Sequence, residues 1–326
     1  MYVPQSYAVA LVLMLASMAC WGSWPNFLKK VPGWRLEYFY VDYTLGFLSA
    51  MCIYGLSLGA DGTEQGGFLA RLLQGGAREV SFALVGGFIW NVGNILLLNS
   101  IMIAGLAVAY PIAATPTIVL GIGVSYWLQP VGEPWALAIS ATLLLVAAQV
   151  IAAAYRRLGG EAAANRSKGI ATAIVSGVLI GFFPPFVTAA LSGPAGLDSY
   201  TVSAFFMLGA GAATLVVTPL LLKRPLIGAS GVLGGYFEGR ASWHILGLLA
   251  GAVWCTGTVF NFISAGMVGV AISVGIGSGA PMIGALWGIF LWREFAHSEL
   301  RAKALITVAL VLYATGIAIM AAAYTL

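Results

Sequence analysis

Ten stretches of roughly 18 to 24 mostly apolar residues divide this 326-residue chain, and each is long enough to cross a bilayer as a helix. With 60% hydrophobic and only 8% charged residues, the composition is typical of a polytopic membrane protein. The opening "MYVPQSYAVA" holds no Lys or Arg, so the first stretch is expected to be a retained span rather than a signal peptide. The predicted spans are 7–27, 38–58, 81–102, 106–127, 135–154, 168–190, 199–222, 243–265, 269–292 and 301–324.

The basic residues are distributed unequally between the two sides that ten spans define. Thirteen of the fifteen Lys and Arg residues fall in loops on one side, and only Arg71 and Arg78 fall on the other. The positive-inside rule then predicts a cytoplasmic basic side and two extracytoplasmic termini. The charges are confined to short loops, so they indicate orientation in a lipid bilayer and not nucleic-acid binding. Compact loops favour a bacterial cytoplasmic membrane.

The two halves of the chain show a weak internal repeat. A shift of 164 positions places "GGFIWNVGN" (86–94) on "AGAVWCTGT" (250–258), and "GSWP" (22–25) has a counterpart in "GFFP" (181–184). Five spans in each half would insert the second half upside down, as in alternating-access transporters. The predicted organisation is a five-helix repeat at 1–155, a linker at 156–167 and an inverted repeat at 168–326. Chance similarity between glycine-rich helices is the alternative.

Several segments in this order resemble the ureide permease family of the drug/metabolite transporter superfamily. They are "WGSWPN", "YFYVDYTLG", "GGFIWNVGN", "GLAVAYPI", "IVLGIGVSYWL" and "LWGIFLWREF". The resemblance implies a five-plus-five inverted-repeat fold and secondary transport of small neutral nitrogen heterocycles such as allantoin, uracil or xanthine, often with protons. Plant members have a longer central loop than "RRLGGEAAANRSK" (156–168), so nucleotide binding there is not expected.

Polar side chains on the third span are the first candidates for substrate binding. Trp90 and Asn94 lie four residues apart and Asn91 and Asn94 three apart, so a helix presents them on one broad face. An aromatic plane beside amide donors and acceptors suits a flat, neutral, polar ring. The alternative is that these residues form hydrogen bonds and packing contacts between helices.

The eighth span repeats this arrangement with Trp254, Thr258 and Asn261, again on one face. The two repeats are therefore expected to place Trp90 and Trp254 on opposite sides of one cavity. Tyr110 is added because Pro111 and Pro116 are expected to disrupt the fourth span and free backbone carbonyls near it.

A gate is predicted where the first span approaches the cytoplasmic side. A proline kink there would face a second kink in the sixth span, at the corresponding point of the other half. The gating candidates are Trp21, Trp24, Pro25, Asn26 and Pro184. The alternative assigns the tryptophans to the interfacial aromatic belt.

Asp42 is the acidic residue that lies deepest in a predicted span, and Tyr38 precedes it by one helical turn. An ionisable group inside a membrane helix is costly, so Asp42 is a candidate for proton coupling. The alternative places it at the interface, paired with Lys29, Lys30 or Arg35.

The sequence gives little support for catalysis, metal binding or cofactor binding. There is no HExxH motif, no pair of intramembrane carboxylates and no histidine cluster, so we expect no catalytic residue, no metal and no cofactor. His244 and His297 are interpreted as interfacial residues, and Glu294 as a helix-end or packing group. A glucose/rhamnose-type sugar carrier is the alternative function, followed by a structural or sensory membrane protein. The oligomeric state stays open between monomer and homodimer.

Overall fold

The computed structural model describes residues 1–60, 67–158, 166–192 and 196–326, and within these ranges the chain is helical and contains no strand. Ten helical units in the described ranges are long and apolar enough to cross a membrane, which confirms the ten predicted spans. The α-helices are α1 (Tyr7–Ser23), α2 (Leu36–Leu56), α3 (Phe68–Gln74), α4 (Ala77–Ala104), α5 (Leu106–Leu128), α6 (Pro134–Arg157), α7 (Arg166–Leu191), α8 (Ser199–Lys223), α9 (Ala241–Val268), α10 (Val270–Gly277), α11 (Ala280–Phe290) and α12 (Leu300–Ala322).

Two spans depart from the single helices that were predicted. The first continues beyond α1 as a 3₁₀ helix, Trp24–Lys30, because Pro25 has no N–H to donate to the preceding turn. The ninth is divided at Ser278 and Gly279 into α10 and α11. Glycines at the end of α10 and Pro281 near the start of α11 weaken the helix there.

The fourth span, by contrast, is not disrupted. Pro111 and Pro116 both lie inside the continuous helix α5, so the expected interruption is wrong. Pro111 leaves the carbonyl of Ala107 without its helical donor, and Arg156 Nη1 donates to that carbonyl at 3.0 Å. A cation at the end of α6 therefore satisfies the group that the proline frees.

Equivalent glycines bring helices from the two halves into close contact. Gly87 of α4 packs against the backbone of α8 at Phe206, and Gly251 of α9 packs against the backbone of α2 at Tyr43. A Cβ at either glycine would overlap a carbonyl oxygen of the neighbouring helix. Gly87 and Gly251 are equivalent under the 164-residue shift, and each lies where a helix of one half packs on a helix of the other half.

The same shift relates two sharp connections. Gly105 joins α4 to α5 with φ 80° and ψ 153°, and Gly269 joins α9 to α10 with φ 80° and ψ 154°. This backbone region is essentially restricted to glycine. Each connection consists of this single residue, which lies directly between the two helices.

The predicted linker at 156–167 falls largely outside the described residues, which omit 159–165. The division into two repeats and their inverted orientation stay predictions.

Apolar side chains cover much of the outer surface, as a lipid environment requires. Leu215 is 78% exposed and Phe290 75% exposed, whereas large aromatic residues such as Tyr43 and Phe206 are buried between α2, α4, α8 and α9. Together with the ten apolar helices, this arrangement describes an integral membrane protein.

Candidate functional site

A cavity of about 380 Å³ lies between the helices of the two halves, within the size range of small-molecule sites. Among the described residues, no carboxylate lines it, and Lys29 is its charged side chain. The sequence-predicted residues that line it are Trp90, Asn94, Tyr110 and Trp254, together with Trp21, Trp24, Pro25 and Asn26.

The two indoles of the cavity contact each other directly. The ring centroids of Trp90 and Trp254 are 4.1 Å apart and the planes are inclined by 16°. No ring fits between planes in such contact, so the expectation that the indoles face each other across the cavity is wrong. Instead they form one stacked aromatic wall, supported by Phe206 at 6.0 Å from Trp90.

Asn94 places a carboxamide beside this wall. Its Nδ2 donates to the hydroxyl of Tyr40, a fully buried residue of α2, at 2.5 Å. Among the described residues no donor bonds the Asn94 Oδ1, which leaves this oxygen as the group able to accept from a ligand. Tyr40 was not predicted, because nothing in its local sequence distinguishes it from the other aromatic residues of "YFYVDYT".

Three of the predicted binding residues do not line the cavity. Asn91 donates to Ala210 O at 2.6 Å and to Thr214 Oγ1 at 2.7 Å on α8. Thr258 Oγ1 accepts from Trp21 Nε1 of α1 at 3.2 Å, and Asn261 donates to Ser273 O on α10 at 2.8 Å. These hydrogen bonds match the alternative in which polar residues hold helices together.

The break in the ninth span adds a polar part to the cavity wall. Gly277, Ser278, Ala280 and Pro281 all line the cavity at this break. Discontinuous helices expose backbone groups at the binding sites of many transporters. The sequence contained a signal for this break, namely Pro281 and the glycines before it. The prediction of one continuous helix relied on hydropathy, which does not report such a break.

The first span contributes two tryptophans that contact other helices. Trp21 Nε1 donates to Thr258 Oγ1 at 3.2 Å. Trp24 is buried and packs against Tyr43 with ring centroids 4.8 Å apart. Pro184 does not line the cavity and lies beside Gly121 of α5. The structure therefore brings four of the five gating candidates to the cavity.

An ion pair lies at the end of the cavity near the basic loops. Lys29 Nζ contacts Glu294 Oε1 at 2.5 Å, and the hydroxyl of Tyr155 donates to Glu294 Oε2 at 2.8 Å. Lys29 and Tyr155 both line the cavity. Trp292 Nε1 donates to Asn26 Oδ1 at 2.6 Å beside this pair. Glu294 thus links the first span to the fifth, a role that its position after the ninth span did not reveal.

Asp42 lies away from the cavity, buried at 2% exposure between α2 and α9. Its partners are the Tyr236 hydroxyl, 2.6 Å from Oδ1, and His244 Nδ1, 2.8 Å from Oδ2. Its described ion-pair partner is His244, and not the residues that the alternative named: Lys29 contacts Glu294, Lys30 lies over the Trp292 ring and Arg35 contacts Glu37. His244, interpreted as interfacial, is the residue that sequence analysis missed here.

Comparison with known proteins identifies related transporters. The ureide permease family model matches residues 39–157. Ureide permease 1 of Arabidopsis thaliana is 22% identical over 390 residues, which cover 99% of this chain and 98% of that protein. The glucose uptake protein GlcU of Bacillus subtilis (strain 168) is 26% identical over 217 residues, which cover 65% of this chain and 68% of that protein.

A solved crystal structure of a protein with 16% sequence identity matches the fold with a TM-score of 0.65 over 96% of both chains. At this identity the similarity describes the fold alone. The resemblance drawn from the sequence motifs is confirmed by the family model and by the full-length relatives, and this chain is an integral membrane transporter, not an enzyme, related to the ureide permease family.

Proposed function

We propose that this protein is a secondary transporter for small neutral nitrogen heterocycles of the ureide type, such as allantoin, uracil or xanthine. The observation that carries the proposal is the stacked wall of Trp90 and Trp254 beside the free carboxamide oxygen of Asn94. An indole face attracts a flat ring, and the carboxamide accepts from an N–H at the ring edge. The names of the ureide permease relatives support this class of substrate.

The charge of the cavity supports a neutral substrate. Its described lining contains no carboxylate, so a cationic substrate would lose its hydration without gaining an ionic partner. The charge of Lys29 is already matched by Glu294. Hydrogen bonding and stacking are then the interactions left to recognise the ligand, and these suit a neutral polar ring.

The proposed mechanism is alternating access between two inverted five-helix halves, with both termini extracytoplasmic in a bacterial cytoplasmic membrane. The cavity extends from Trp254 to Lys29 and Tyr155, which lie near the basic loops. On the opposite side, Tyr7 stacks on Tyr324 at 4.9 Å, and Arg71 contacts Asp198 at 3.2 Å. This asymmetry suits a state in which the site is accessible from the basic side, with proton binding at Asp42 as the coupling step.

A sugar carrier is the second candidate, favoured by the similarity to GlcU over 65% of this chain. The apolar face of a sugar ring also packs on indoles, and its hydroxyls also bond to carboxamides. The cavity volume of about 380 Å³ accepts either ligand. The residues of the cavity wall therefore fit both heterocycles and sugars, and a binding measurement is needed to distinguish the two.

Equilibrium binding of radiolabelled allantoin, uracil, xanthine and glucose to the purified protein tests the proposal. We expect saturable binding of a heterocycle and at least a roughly 10-fold weaker affinity in Asn94→Leu, because a buried polar contact is lost. Binding of glucose with no binding of any heterocycle would establish the sugar carrier instead. Heterocycle binding that is unchanged in Asn94→Leu would contradict this location of the site.

A further inference from the structure

The side chains of Asp42, Tyr236 and His244 contact one another near the N-terminal ends of α2 and α9, which lie beside the basic loops. Asp42 accepts from the Tyr236 hydroxyl at 2.6 Å with one oxygen and lies 2.8 Å from His244 Nδ1 with the other. The Asp42 side chain is 3% exposed and that of His244 is 24% exposed. The carboxylate is therefore buried, while the imidazole beside it keeps contact with the surface.

Aromatic rings enclose this group on its outer side. Trp34 meets the His244 ring edge-on, with centroids 4.9 Å apart and planes at 81°. Tyr236 meets the same ring at 4.7 Å and 76°. His244 Nε2 lies against Gly239, where a Cβ would approach it to 2.8 Å. The enclosure keeps the local dielectric low, so one added charge changes the energy of the group strongly.

The segment 229–239 holds Tyr236 in place through further bonds to α2. Arg35 Nη1 donates to Ala229 O at 2.6 Å, and the Tyr38 hydroxyl donates to Val232 O. Burial, followed by the adjacent Asp42 carboxylate, raises the pKa of Tyr236, so its hydroxyl stays a donor.

The charged groups around this cluster have other partners. Arg35 forms an ion pair with Glu37 at 3.1 Å on the α2 side, and the Arg240 guanidinium lies over the Trp243 ring at 5.2 Å. Of the titratable side chains, Tyr236 from segment 229–239 and His244 from α9 contact the carboxylate directly.

We propose that Asp42 and His244 form one proton-binding unit in which Tyr236 is the positioning residue. This inference rests on the proposed proton-coupled transport and assigns His244 as the second member of the site. With neutral His244 donating from Nδ1, the unit carries one negative charge. One added proton makes the unit neutral, whichever of the two residues holds it.

Helix α2 connects this unit to the substrate cavity. Tyr40, two residues before Asp42, accepts the hydrogen bond from Asn94. Asp42 and Tyr43 pack directly on Gly247 and Gly251 of α9, the helix that carries Trp254. Moving a neutral unit within the membrane costs less free energy than moving a charged one, so protonation favours displacement of α2 against α9. This displacement would move Tyr40, and with it the hydrogen bond to Asn94.

Infrared titration of the purified protein without substrate tests the unit separately from transport. Among the carboxylic acid bands of the eleven acidic residues, we expect one that rises as pH falls and that disappears in Asp42→Asn. The band should persist in the control Glu37→Gln, which removes a carboxylate from the same helix. An unchanged titration in Asp42→Asn would overturn the proposal.

Tyr236→Phe and His244→Gln supply the second part of the test. Loss of the Tyr236 donor disfavours the charged carboxylate, so the band midpoint should move to higher pH by about one unit. His244→Gln removes the ring nitrogen that lies 2.8 Å from Asp42 Oδ2, so the band midpoint should change in this variant as well. Midpoints equal to those of the parent protein in both variants would overturn the unit. Since substrate is absent, the result is independent of which compound is transported.

Discussion

Trp90 of α4 and Trp254 of α9 stack face to face, 4.1 Å between ring centroids, at positions that the internal shift of 164 residues makes equivalent. Each half of the chain therefore supplies one layer of a single aromatic wall. Any movement of one half against the other changes this contact. The aromatic wall of the cavity is therefore also one of the contacts between the two halves.

Removal of either indole should reduce stability as well as transport. Both side chains are buried, at 7% and 2% exposure, so Trp90→Ala or Trp254→Ala should each cost about 3 kcal/mol. The double variant should cost about 1 kcal/mol less than the sum, because each single change already breaks the stack. Reversible unfolding in mixed micelles measures these values. Strictly additive losses would contradict the coupling of the two rings.

Asn94 and Asn91 form a matched pair for separating binding from packing. Asn94→Leu should weaken heterocycle binding by about 10-fold or more, because Asn94 lines the cavity and its Oδ1 is the acceptor assigned to the ligand in the proposed function. Asn91→Leu breaks contacts with Ala210 and Thr214, so it should cost about 1–3 kcal/mol of stability without changing affinity. Ligand titrations and unfolding curves on both variants check this. An equal loss of affinity in Asn91→Leu would place the site elsewhere.

The Lys29 and Glu294 pair should control access more than stability. Both side chains are partly exposed, so breaking the pair should cost less than about 1 kcal/mol. Glu294→Gln also weakens the acceptor of Tyr155 in the cavity wall, so we expect a several-fold slower uptake. The exchanged pair Lys29→Glu with Glu294→Lys should restore part of the rate. Initial uptake rates test this, and no recovery in the exchanged pair would argue against an ionic link.

The connections at Gly105 and Gly269 should tolerate no side chain. Alanine at either position must adopt a backbone conformation restricted to glycine, at a cost of about 1–3 kcal/mol. Gly269→Ala should be the more damaging, because its Cβ would lie 3.1 Å from Val131, whereas no atom lies within 4 Å at Gly105.

Gly123→Ala is the control for these substitutions. Gly123 lies within α5 in open space, so alanine should stabilise the helix by about 0.5–1 kcal/mol. Thermal denaturation of the three variants gives the comparison. Similar stability in all three would contradict the role of the two connections.

The ten spans were predictable because the length of an apolar stretch reports directly on a membrane helix. The interruptions were less predictable. Pro111 and Pro116 leave α5 intact, whereas the ninth span ends its first helix at Gly277. In α5, Arg156, which lies 49 residues away in the chain, donates to the Ala107 carbonyl that Pro111 frees. Local sequence does not contain that information.

The site was predictable in part for a similar reason. Helical spacing correctly brought Trp90 and Asn94 to one face, but it did not separate Asn91, which faces α8. The partners of Asp42 lie 194 and 202 residues away in the chain. Such pairs follow from tertiary packing, and periodicity within one helix does not determine them.

Uptake into proteoliposomes tests the central claim most directly. Vesicles would receive labelled uracil, allantoin and glucose separately, with and without an inward proton gradient. We predict that a heterocycle accumulates above its external concentration and that the accumulation disappears when the gradient is collapsed. Accumulation of glucose alone, or heterocycle uptake that is the same with and without the proton gradient, would contradict proton-coupled heterocycle transport.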